Sequence, residues 1–306
     1  MALTALVIGG TGFLGSGIVD ELLSRGWNVT SLGRGRMPHR ISRVEFLTVD
    51  RSQPGALAAV AQSKKFDMVV DCAAYTAPDV EDAVRAFLGN TRHYVFISTD
   101  FVYAPSYEGP FPIKEDAPKE TILPYGVGKL ACEAVLRRAW NEQQFPFTAL
   151  RPPHILGAGK ALGSGTVEGR DPDLLTHMRA GTGVTMLAEG QLLIQPVWNR
   201  EIGACIAVMG VNERVLGHVY NFTGPDCITT RQYYQIIADV LGVPLRADTI
   251  SIADYLARWP EKAPFARHRI YDLRHLESTV GYRPYHRVEN AIVDSIGWMQ
   301  QTANRT

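Results

Sequence analysis

The sequence predicts an α/β fold in which helices cover both faces of a doubly wound parallel sheet. Short apolar segments rich in valine and isoleucine alternate with stretches of helical apolar spacing, as in repeated βαβ units. The first of these strands runs into a glycine-rich turn and then a helix. Hydrophobic residues make up 46% of the 306 residues, enough for a large core. Ligands of such a sheet bind beyond the carboxyl ends of the strands, where the strand order reverses.

The predicted elements follow one another at the spacing of α/β units. The strands cover residues 3–8, 27–32, 44–49, 66–72, 94–97 and 147–150. The helices between them cover residues 12–25, 55–63 and 79–88, and a further helix begins at Tyr125. A later apolar segment, residues 218–222, is expected to return to the main sheet.

The turn after the first strand has the glycine spacing of a dinucleotide-binding loop. Gly9 permits the tight turn, Gly12 lets the backbone approach a pyrophosphate, and Gly15 lets the helix pack against the strand. The N–H groups that begin the helix attract the anion. The alternative is a glycine turn in some other α/β protein. The expected cofactor contacts in this loop are Gly9, Thr11, Gly12, Phe13, Leu14 and Gly15.

The end of the second strand indicates which dinucleotide is preferred. NAD-preferring folds place an acidic residue there to accept a hydrogen bond from the ribose 2′-hydroxyl, whereas an arginine pairs with a 2′-phosphate. This chain has no acid at that point and has Arg34 and Arg36. We therefore expect NADP, with NAD as the alternative, and Arg34 as the stronger candidate. The other interpretation is a solvated basic loop.

The ends of later strands complete the predicted crevice. Asp50 and Arg51 follow the third strand, and Ala73 and Ala74 follow the fourth. Because the carboxyl ends of parallel strands meet at one edge, we expect these residues along the cofactor. Asp50 is expected on the adenine side, although an aspartate before an arginine is as often a turn former.

Tyr125 and Lys129 predict proton transfer beside the cofactor. They lie one helical turn apart on the same face. A free phenol has a pKa of about 10, and a nearby ammonium lowers it towards a useful range. Thr99, after the fifth strand, is placed to hold a substrate oxygen. The spacing is common by chance, but its position between Thr99 and the next strand favours oxidoreductase chemistry on an alcohol or ketone.

Across nearly its whole length the chain resembles an extended short-chain dehydrogenase/reductase of the epimerase/dehydratase group. The matching segments are residues 9–15, 96–103, 125–133, 151–157, 228–230 and 280–284. The resemblance implies an NADP-binding Rossmann domain of residues 1–151 and 195–222, with a smaller C-terminal substrate-binding lobe of residues 152–194 and 223–306. It also implies residue roles, which are Tyr125 as acid and base, Lys129 on the nicotinamide ribose, Thr99 as the catalytic hydroxyl, and Pro153 and Ile155 beside the nicotinamide.

Two differences from the usual pattern of this family indicate to which of its branches the chain is most similar. The segment of residues 98–103 is similar to that of dehydrorhamnose-type 4-ketoreductases, whereas sugar dehydratases carry a glutamate at the position of Phe101. The stretch between Ala74 and His93 is shorter than usual and resembles atypical members, including the chloroplast stem-loop-binding relatives.

Three functions remain open from the sequence. The first is an NADP-dependent oxidoreductase that reduces a ketone, or oxidises an alcohol, on a nucleotide sugar or a related biosynthetic intermediate. The second is a nucleotide-sugar epimerase that retains its NAD(P). The third is a nonenzymatic NADP-binding or RNA-binding protein, against which the intact Thr99, Tyr125 and Lys129 count.

The expected substrate contacts each have a structural alternative. The candidates are Tyr75, Asp100, His154, Trp198 and Arg200. A histidine after two prolines is more often positional, a tryptophan often covers core, and an arginine before a glutamate often forms an exposed ion pair. Glu133, one turn after Lys129, is expected to offset the charge of that lysine. The glycine-rich residues 157–170 are either a lid over the ligand or a plain connector.

Composition narrows the class of protein. The 31 basic and 31 acidic side chains cancel, which argues against broad attraction to nucleic acid or membranes. No apolar run approaches the roughly 18 residues that span a bilayer. The four cysteines have no metal-ligand spacing, and no cleavable signal is seen. We expect a cytoplasmic, metal-free protein with a small-molecule substrate, present as a monomer or homodimer.

Overall fold

The computed structural model describes residues 2–35, 44–104, 109–163 and 169–303. Its strands are β1 Thr4–Ile8, β2 Asn28–Gly33, β3 Glu45–Thr48, β4 Phe66–Asp71, β5 Thr91–Ile97, β6 Phe147–Arg151, β7 Ile155–Leu156, β8 Val184–Leu187, β9 Leu193–Ile194, β10 Val197–Trp198, β11 His218–Asn221, β12 Ile228–Thr229 and β13 Ala247–Ile250. Its α-helices are α1 Phe13–Ser24, α2 Ala56–Ser63, α3 Ala77–Phe87, α4 Pro124–Gln143, α5 Leu174–Arg179, α6 Asn199–Met209, α7 Thr230–Leu241, α8 Ile252–Arg258, α9 Arg274–Val280 and α10 Val288–Ala303.

The main sheet has seven parallel strands in the order β11-β6-β5-β4-β1-β2-β3. The order reverses at β1, which pairs with β2 on one side and β4 on the other. In that register Ile8 lies opposite both Leu32 and Asp71, so three strand ends meet at one place. The predicted doubly wound α/β fold is confirmed.

Both faces of the sheet are apolar because its strands are covered on each side. Along β1, Ala5 and Val7 belong to the apolar cluster beneath α1 and α6, while Leu6 and Ile8 belong to the cluster beneath α2, α3 and α4. This alternation follows from the two-residue period of a strand. The long segments of valine and isoleucine in the sequence are therefore strands buried on both faces.

The first turn of α3 explains where this helix begins. Helix α3 starts at Ala77, two residues before the predicted residue 79, because Thr76 and Asp79 form a capping box. Pro78 lies in the first turn, where its missing N–H is not needed. The one short helix predicted between Ala74 and His93 is thus present.

A second group of elements lies after the main sheet along the chain. The strand pairs are β7 with β10, β8 with β13, and β9 with β12. Together with α5, α7 and α10 they enclose their own apolar cluster, which includes Leu174, Ile194, Tyr233 and Ile292. These elements fall largely within the residues expected to form the smaller lobe, and the domain boundaries themselves stay a prediction.

The described ranges contain neither a membrane-spanning helix nor a group of side chains suited to a metal ion. None of their helices combines the length and apolar character needed to cross a membrane. In the same ranges, no three histidine, cysteine or acidic side chains are grouped so that they could hold a metal ion.

Candidate active site

A cleft with a volume of about 890 Å³ lies beyond the carboxyl ends of the central strands, at the point where the strand order reverses. It is the position at which doubly wound sheets bind ligands. The sequence-predicted residues that line it are Gly9, Thr11, Gly12, Phe13, Leu14, Gly15, Arg34, Asp50, Arg51, Ala73, Tyr75, Thr99, Tyr125, Lys129, Pro153 and Ile155.

The glycine loop has the geometry that an anion site needs. Gly9 adopts φ +81°, a conformation that side chains rarely take. A Cβ atom on Gly15 would lie 2.2 Å from the Gly9 carbonyl oxygen, so only glycine fits there. The Ser16 N–H donates to the Gly12 carbonyl, which leaves the preceding N–H groups of α1 available to an anion. The loop therefore fits a dinucleotide pyrophosphate.

The far end of the cleft carries the predicted specificity residues. Arg34 directly follows β2, is exposed, and lines the cleft. Arg36, the second candidate, lies outside the described residues. Asp50 also lines the cleft, and its carboxylate accepts hydrogen bonds from the Ser52 N–H and hydroxyl at 3.1 and 2.8 Å. Asp50 therefore acts as a turn former, which is the alternative given for it from the sequence. It does so at the edge of the cleft where the adenine is predicted.

Arg51 supports the wall of the cleft. Its guanidinium donates to both carboxylate oxygens of Asp71, at 2.8 and 2.6 Å, and to the Asp79 carbonyl at 2.6 Å. The same Asp71 accepts hydrogen bonds from the backbone N–H groups of Ala73 and Ala74. Arg51 therefore fixes the turn after β4 as well as facing the cleft.

Ala74 was predicted to contact the cofactor, but it does not line the cleft. It is fully buried. Its role is instead to accept a hydrogen bond from Lys129 through its carbonyl group. The neighbouring Ala73 does line the cleft.

Lys129 is buried beneath the cleft on α4. Its ammonium donates to the carbonyl groups of Ala74 and Ile97, both at 2.7 Å, and only 2% of the residue is exposed. Burial lowers the pKa of Lys129 to about 8. An ammonium has three N–H donors, so one remains for a ligand in the cleft.

Tyr125 lies one turn before Lys129 and faces the cleft, with 43% of the residue exposed. The Lys129 nitrogen is 5.7 Å from the centre of its ring. Burial of the phenol, together with Tyr75 and Asp100, raises the pKa of Tyr125 above its usual range, and a hydrogen bond with Thr99 opposes this. Within the chain alone, Lys129 therefore does not bring the pKa of Tyr125 down as expected. Burial of the phenol has the larger effect and raises this pKa.

Thr99 follows β5 and completes the group. It is 4% exposed, and its hydroxyl oxygen accepts a hydrogen bond from the Phe101 N–H at 3.3 Å. Both Thr99 and Phe101 line the cleft beside Tyr125. The arrangement brings a phenol, a hydroxyl and an ammonium to one end of a cleft whose other side is the glycine loop.

Asp100 was predicted to contact the substrate, but it does not line the cleft. It is fully buried and accepts hydrogen bonds from Arg269 at 2.7 and 3.0 Å and from the Tyr271 hydroxyl at 2.6 Å. Arg267 also donates to the Asp100 carbonyl at 3.1 Å. The carboxylate joins the residues after β5 to the C-terminal part of the chain. Nothing local in the sequence indicated these arginines.

Three further substrate candidates lie away from the cleft lining. His154 is buried and packs its ring edge-on against Tyr233. The Trp198 indole N–H donates to Asp294 at 2.9 Å. Arg200 donates to Glu21 at 3.1 Å, so its partner is not the adjacent Glu201. Of the substrate candidates, Tyr75 alone lines the cleft.

Glu133 also differs from expectation. It forms a buried ion pair with Arg151 at 2.6 Å and accepts a hydrogen bond from the Ser98 hydroxyl at 2.6 Å. It therefore offsets the charge of Arg151 and not that of Lys129. This pair links α4 to the ends of β5 and β6.

Sequence reasoning missed two cations of the cleft, Lys160 and Arg170. They lie near the ends of the glycine-rich residues 157–170, of which 164–168 are outside the described residues. The glycine-rich segment itself was the available signal, but its composition indicates only a lid or a connector and not a pair of cations in the cleft.

Comparisons with known proteins agree with this geometry. The sequence profile of the NAD dependent epimerase/dehydratase family matches residues 5–221. A 2′-dehydrokanamycin reductase from Streptomyces kanamyceticus is 26% identical over 264 residues, 86% of this chain and 73% of that protein. A UDP-glucose 4-epimerase from Lacticaseibacillus casei is 31% identical over 176 residues, 51% of this chain and 53% of that protein. The match thus spans about half of the epimerase.

A solved structure extends the likeness to the whole fold. UDP-glucuronic acid 4-epimerase from Bacillus cereus, in complex with NAD, superposes with a TM-score of 0.79 at 16% identity, covering 98% of this chain and 99% of that one. The predicted resemblance is confirmed, as is the expectation of an enzyme of the NAD(P)-dependent oxidoreductase and epimerase class. With its glycine loop, threonine, tyrosine and lysine around one cleft, the chain belongs to the NAD-dependent epimerase/dehydratase family.

Proposed function

We propose that this protein is an NADP-dependent oxidoreductase that reduces a ketone, or in reverse oxidises an alcohol, on a nucleotide sugar or a related biosynthetic intermediate. The observation that carries the proposal is that Thr99, Tyr125 and Lys129 line the same cleft as the glycine loop. A pure binding module has no need of a proton donor at this position. The substrate would be held between this end of the cleft and the lobe of residues 152–194 and 223–306.

The side chains support a simple division of labour. The hydride for the carbonyl carbon would come from a reduced nicotinamide bound in the cleft. Tyr125 gives its phenolic proton to the carbonyl oxygen and later regains one from water, so that the net change is addition of one hydride and one proton. The Thr99 hydroxyl donates a hydrogen bond to the same oxygen. Lys129 stabilises the phenolate while it exists.

Phe101 favours reduction over dehydration. Elimination of water from a sugar needs a base to remove a proton next to the carbonyl, and sugar dehydratases carry a glutamate at this position. Here the side chain is a phenyl ring, whose centre is 6.5 Å from that of Tyr125. The neighbouring Asp100 is not available as a substitute because it is buried against Arg269.

Arg34 favours NADP over NAD. The second strand ends at Gly33 and is followed by Arg34 and Gly35, with no carboxylate there to accept a hydrogen bond from a ribose hydroxyl. An exposed guanidinium at the rim of the cleft is suited to a 2′-phosphate. NADPH is also the form that a net reductase exchanges at each turnover.

The direct test is to incubate the purified protein with NADPH and a panel of 4-keto nucleotide sugars and keto-glycosides, and to follow the absorbance of the reduced nicotinamide. We expect one NADPH consumed for each ketone reduced. Tyr125→Phe should abolish consumption while NADPH still binds. Reduction by Tyr125→Phe at the wild-type rate would refute the assignment of the proton donor.

Epimerisation is the second candidate, favoured by the similarity of half the chain to UDP-glucose 4-epimerases. An epimerase oxidises and then reduces the same carbon, so it returns its cofactor unchanged. The same assay separates the two functions. Conversion of a UDP-sugar to its epimer with no net loss of NADPH, by protein that retains its dinucleotide on purification, would favour the epimerase.

A further inference from the structure

Two cations line the cleft near the start of α1. Lys160 and Arg170 both contribute to its lining, as does Phe13, the first residue of α1. Neither cation follows a strand of the main sheet, so neither belongs to the predicted crevice at the strand ends. Their position raises the question of which anion they face.

The chain after β7 is brought directly against the glycine loop. Gly159 adopts φ +108°, and a Cβ atom built on it would lie 3.4 Å from the Phe13 Cα. The Asn199 side chain donates to the Phe13 carbonyl at 2.8 Å and lies so close to Gly157 that a Cβ there would be 2.5 Å from its oxygen. Small residues thus allow this segment to approach the start of α1, and Lys160 is the next residue.

Arg170 is held in a fixed orientation by contacts that, within the described ranges, carry no negative charge. Its guanidinium donates to the carbonyl groups of Ala161 at 2.9 Å and Ile155 at 2.5 Å. The guanidinium carbon is 5.4 Å from the centre of the Phe13 ring. Two carbonyl acceptors use two of its five N–H donors and supply no compensating charge. A positioned cation therefore lies against the side chain of the first residue of α1.

The charge balance favours an anionic ligand. Arg170 is half-buried, and among the described residues no carboxylate forms an ion pair with it or with Lys160. Burial lowers the pKa of Arg170, and Arg269 acts in the same direction. A partly desolvated guanidinium without a counter-charge is costly, and an anion in the cleft would offset that cost.

We propose that Arg170 and Lys160 bind the pyrophosphate of the dinucleotide from the side opposite the glycine loop, so that the phosphates lie between backbone N–H groups and two side-chain cations. This rests on the proposed dinucleotide function and adds a second half to the site. The loop supplies neutral donors, and the segment after β7 supplies the compensating positive charge.

Arg170 and Lys160 differ from Arg34 in the phosphate group that each is expected to contact. Arg34 is expected to read the 2′-phosphate, which NADP has and NAD lacks. Arg170 and Lys160 are expected to contact the pyrophosphate, which NADP, NAD and ADP all contain. Loss of either cation should therefore weaken all three ligands by similar factors.

The test is a set of binding titrations on the full chain, with ADP and 2′-AMP as fragments that separate the two phosphate positions. In Arg170→Met and in Lys160→Met we expect the affinities for NADPH, NADH and ADP each to fall by about tenfold or more. The affinity for 2′-AMP should stay within about twofold, because it carries no pyrophosphate. Arg179→Met, which removes an exposed cation of the same part of the chain that does not line the cleft, is the matched control and should change none of these values.

Each other outcome overturns the inference. Unchanged ADP and NADPH affinities in both variants would show that the cations do not touch the pyrophosphate. An equal loss for 2′-AMP would show only a general electrostatic field, and a raised KM for the ketone with unchanged dinucleotide affinity would assign the cations to the substrate. Lys160 is exposed, so its variant remains informative if Arg170→Met folds poorly. Failure of wild-type protein to bind any dinucleotide would instead refute the proposed function.

Discussion

The Lys129 ammonium donates a 2.7 Å hydrogen bond to the carbonyl of Ile97, the last residue of β5. The bond ties helix α4 to the end of β5, just before Thr99, so the two parts of the proposed catalytic group are fixed relative to each other. It also explains why this lysine is buried while the tyrosine one turn earlier is accessible. A positioned cation beside an accessible phenol is what proton donation to a bound ketone requires.

Lys129 should make the free energy of unfolding depend on pH. Burial lowers its pKa from 10.5 to about 8, so between these values the unfolded chain holds a proton that the folded chain has released. Stability therefore rises with pH across that window and is insensitive to this group below pH 8. We expect the difference between wild type and Lys129→Met to shift in favour of wild type by about 3 kcal/mol from pH 8 to 10.5.

The measurement is chemical denaturation of both proteins at several pH values within that window. Taking the difference removes the titration of the other lysines and tyrosines. A difference that stays constant with pH would mean that Lys129 titrates near its ordinary value.

Arg34 should decide the preference between the two dinucleotides. In Arg34→Ala we expect the KM for NADPH to rise by about tenfold or more, because a charge-assisted bond to the 2′-phosphate is lost. The KM for NADH should hardly change. Arg92→Ala, at an exposed arginine outside the cleft lining, serves as the control in the same steady-state assay. Equal effects on both cofactors would place the 2′-phosphate elsewhere.

Gly15 should tolerate no side chain. A Cβ there would meet the Gly9 carbonyl oxygen at 2.2 Å, and backbone cannot give way as a flexible side chain can. We expect Gly15→Ala to lower the free energy of unfolding by about 1 to 3 kcal/mol and to abolish dinucleotide binding. Thermal unfolding and NADPH titration measure the two effects.

The matched control is Gly297→Ala in the middle of α10, where an added Cβ meets nothing within 4 Å. It should raise the free energy of unfolding by about 0.5 to 1 kcal/mol, since alanine favours a helix over glycine. A Gly15→Ala protein with normal stability and normal NADPH affinity would contradict the close packing described for the loop.

We expect Asp100 to stabilise the fold and not to make the contact with the substrate that the sequence had predicted. Burial alone would raise its pKa, but Arg269 holds the pKa of this carboxyl below its usual value. Asp100→Asn leaves Arg269 buried without its counter-charge, and we expect the free energy of unfolding to fall by about 3 to 5 kcal/mol. Arg92→Gln, which breaks the exposed pair with Asp67, should cost about 1 kcal/mol or less. A loss of turnover without loss of stability in Asp100→Asn would restore the predicted contact with the substrate.

The sequence predicted what depends on near neighbours in the chain. Strand and helix periodicity, the glycine turn, and the one-turn spacing of Tyr125 and Lys129 are local patterns, and the structure contains each of them. Thr99 could be placed at the cleft because it lies two residues after the end of a strand, and strand ends converge in a parallel sheet.

The contacts that sequence reasoning missed join distant residues. Asp100 and Arg269 are 169 positions apart, and their pairing depends on how the C-terminal elements pack against the sheet. Glu133 and Arg151 are 18 positions apart on different elements, so helical spacing suggested the nearer Lys129 as the partner. The inferred role of Arg170 arises in the same way, from a segment that approaches the glycine loop only in the folded chain.

The buried pair of Asp100 and Arg269 has a consequence for exchanging lobes among relatives. A chimaera that replaces residues 223–306 with the equivalent part of another enzyme would keep the aspartate and lose its counter-charge unless the graft carries arginines at the positions of Arg267 and Arg269. The residues after β5, which carry the proposed catalytic hydroxyl, are then destabilised by a change made far away in the chain. New substrate ranges are therefore more safely engineered by altering surface loops of the existing lobe than by transplanting a whole one.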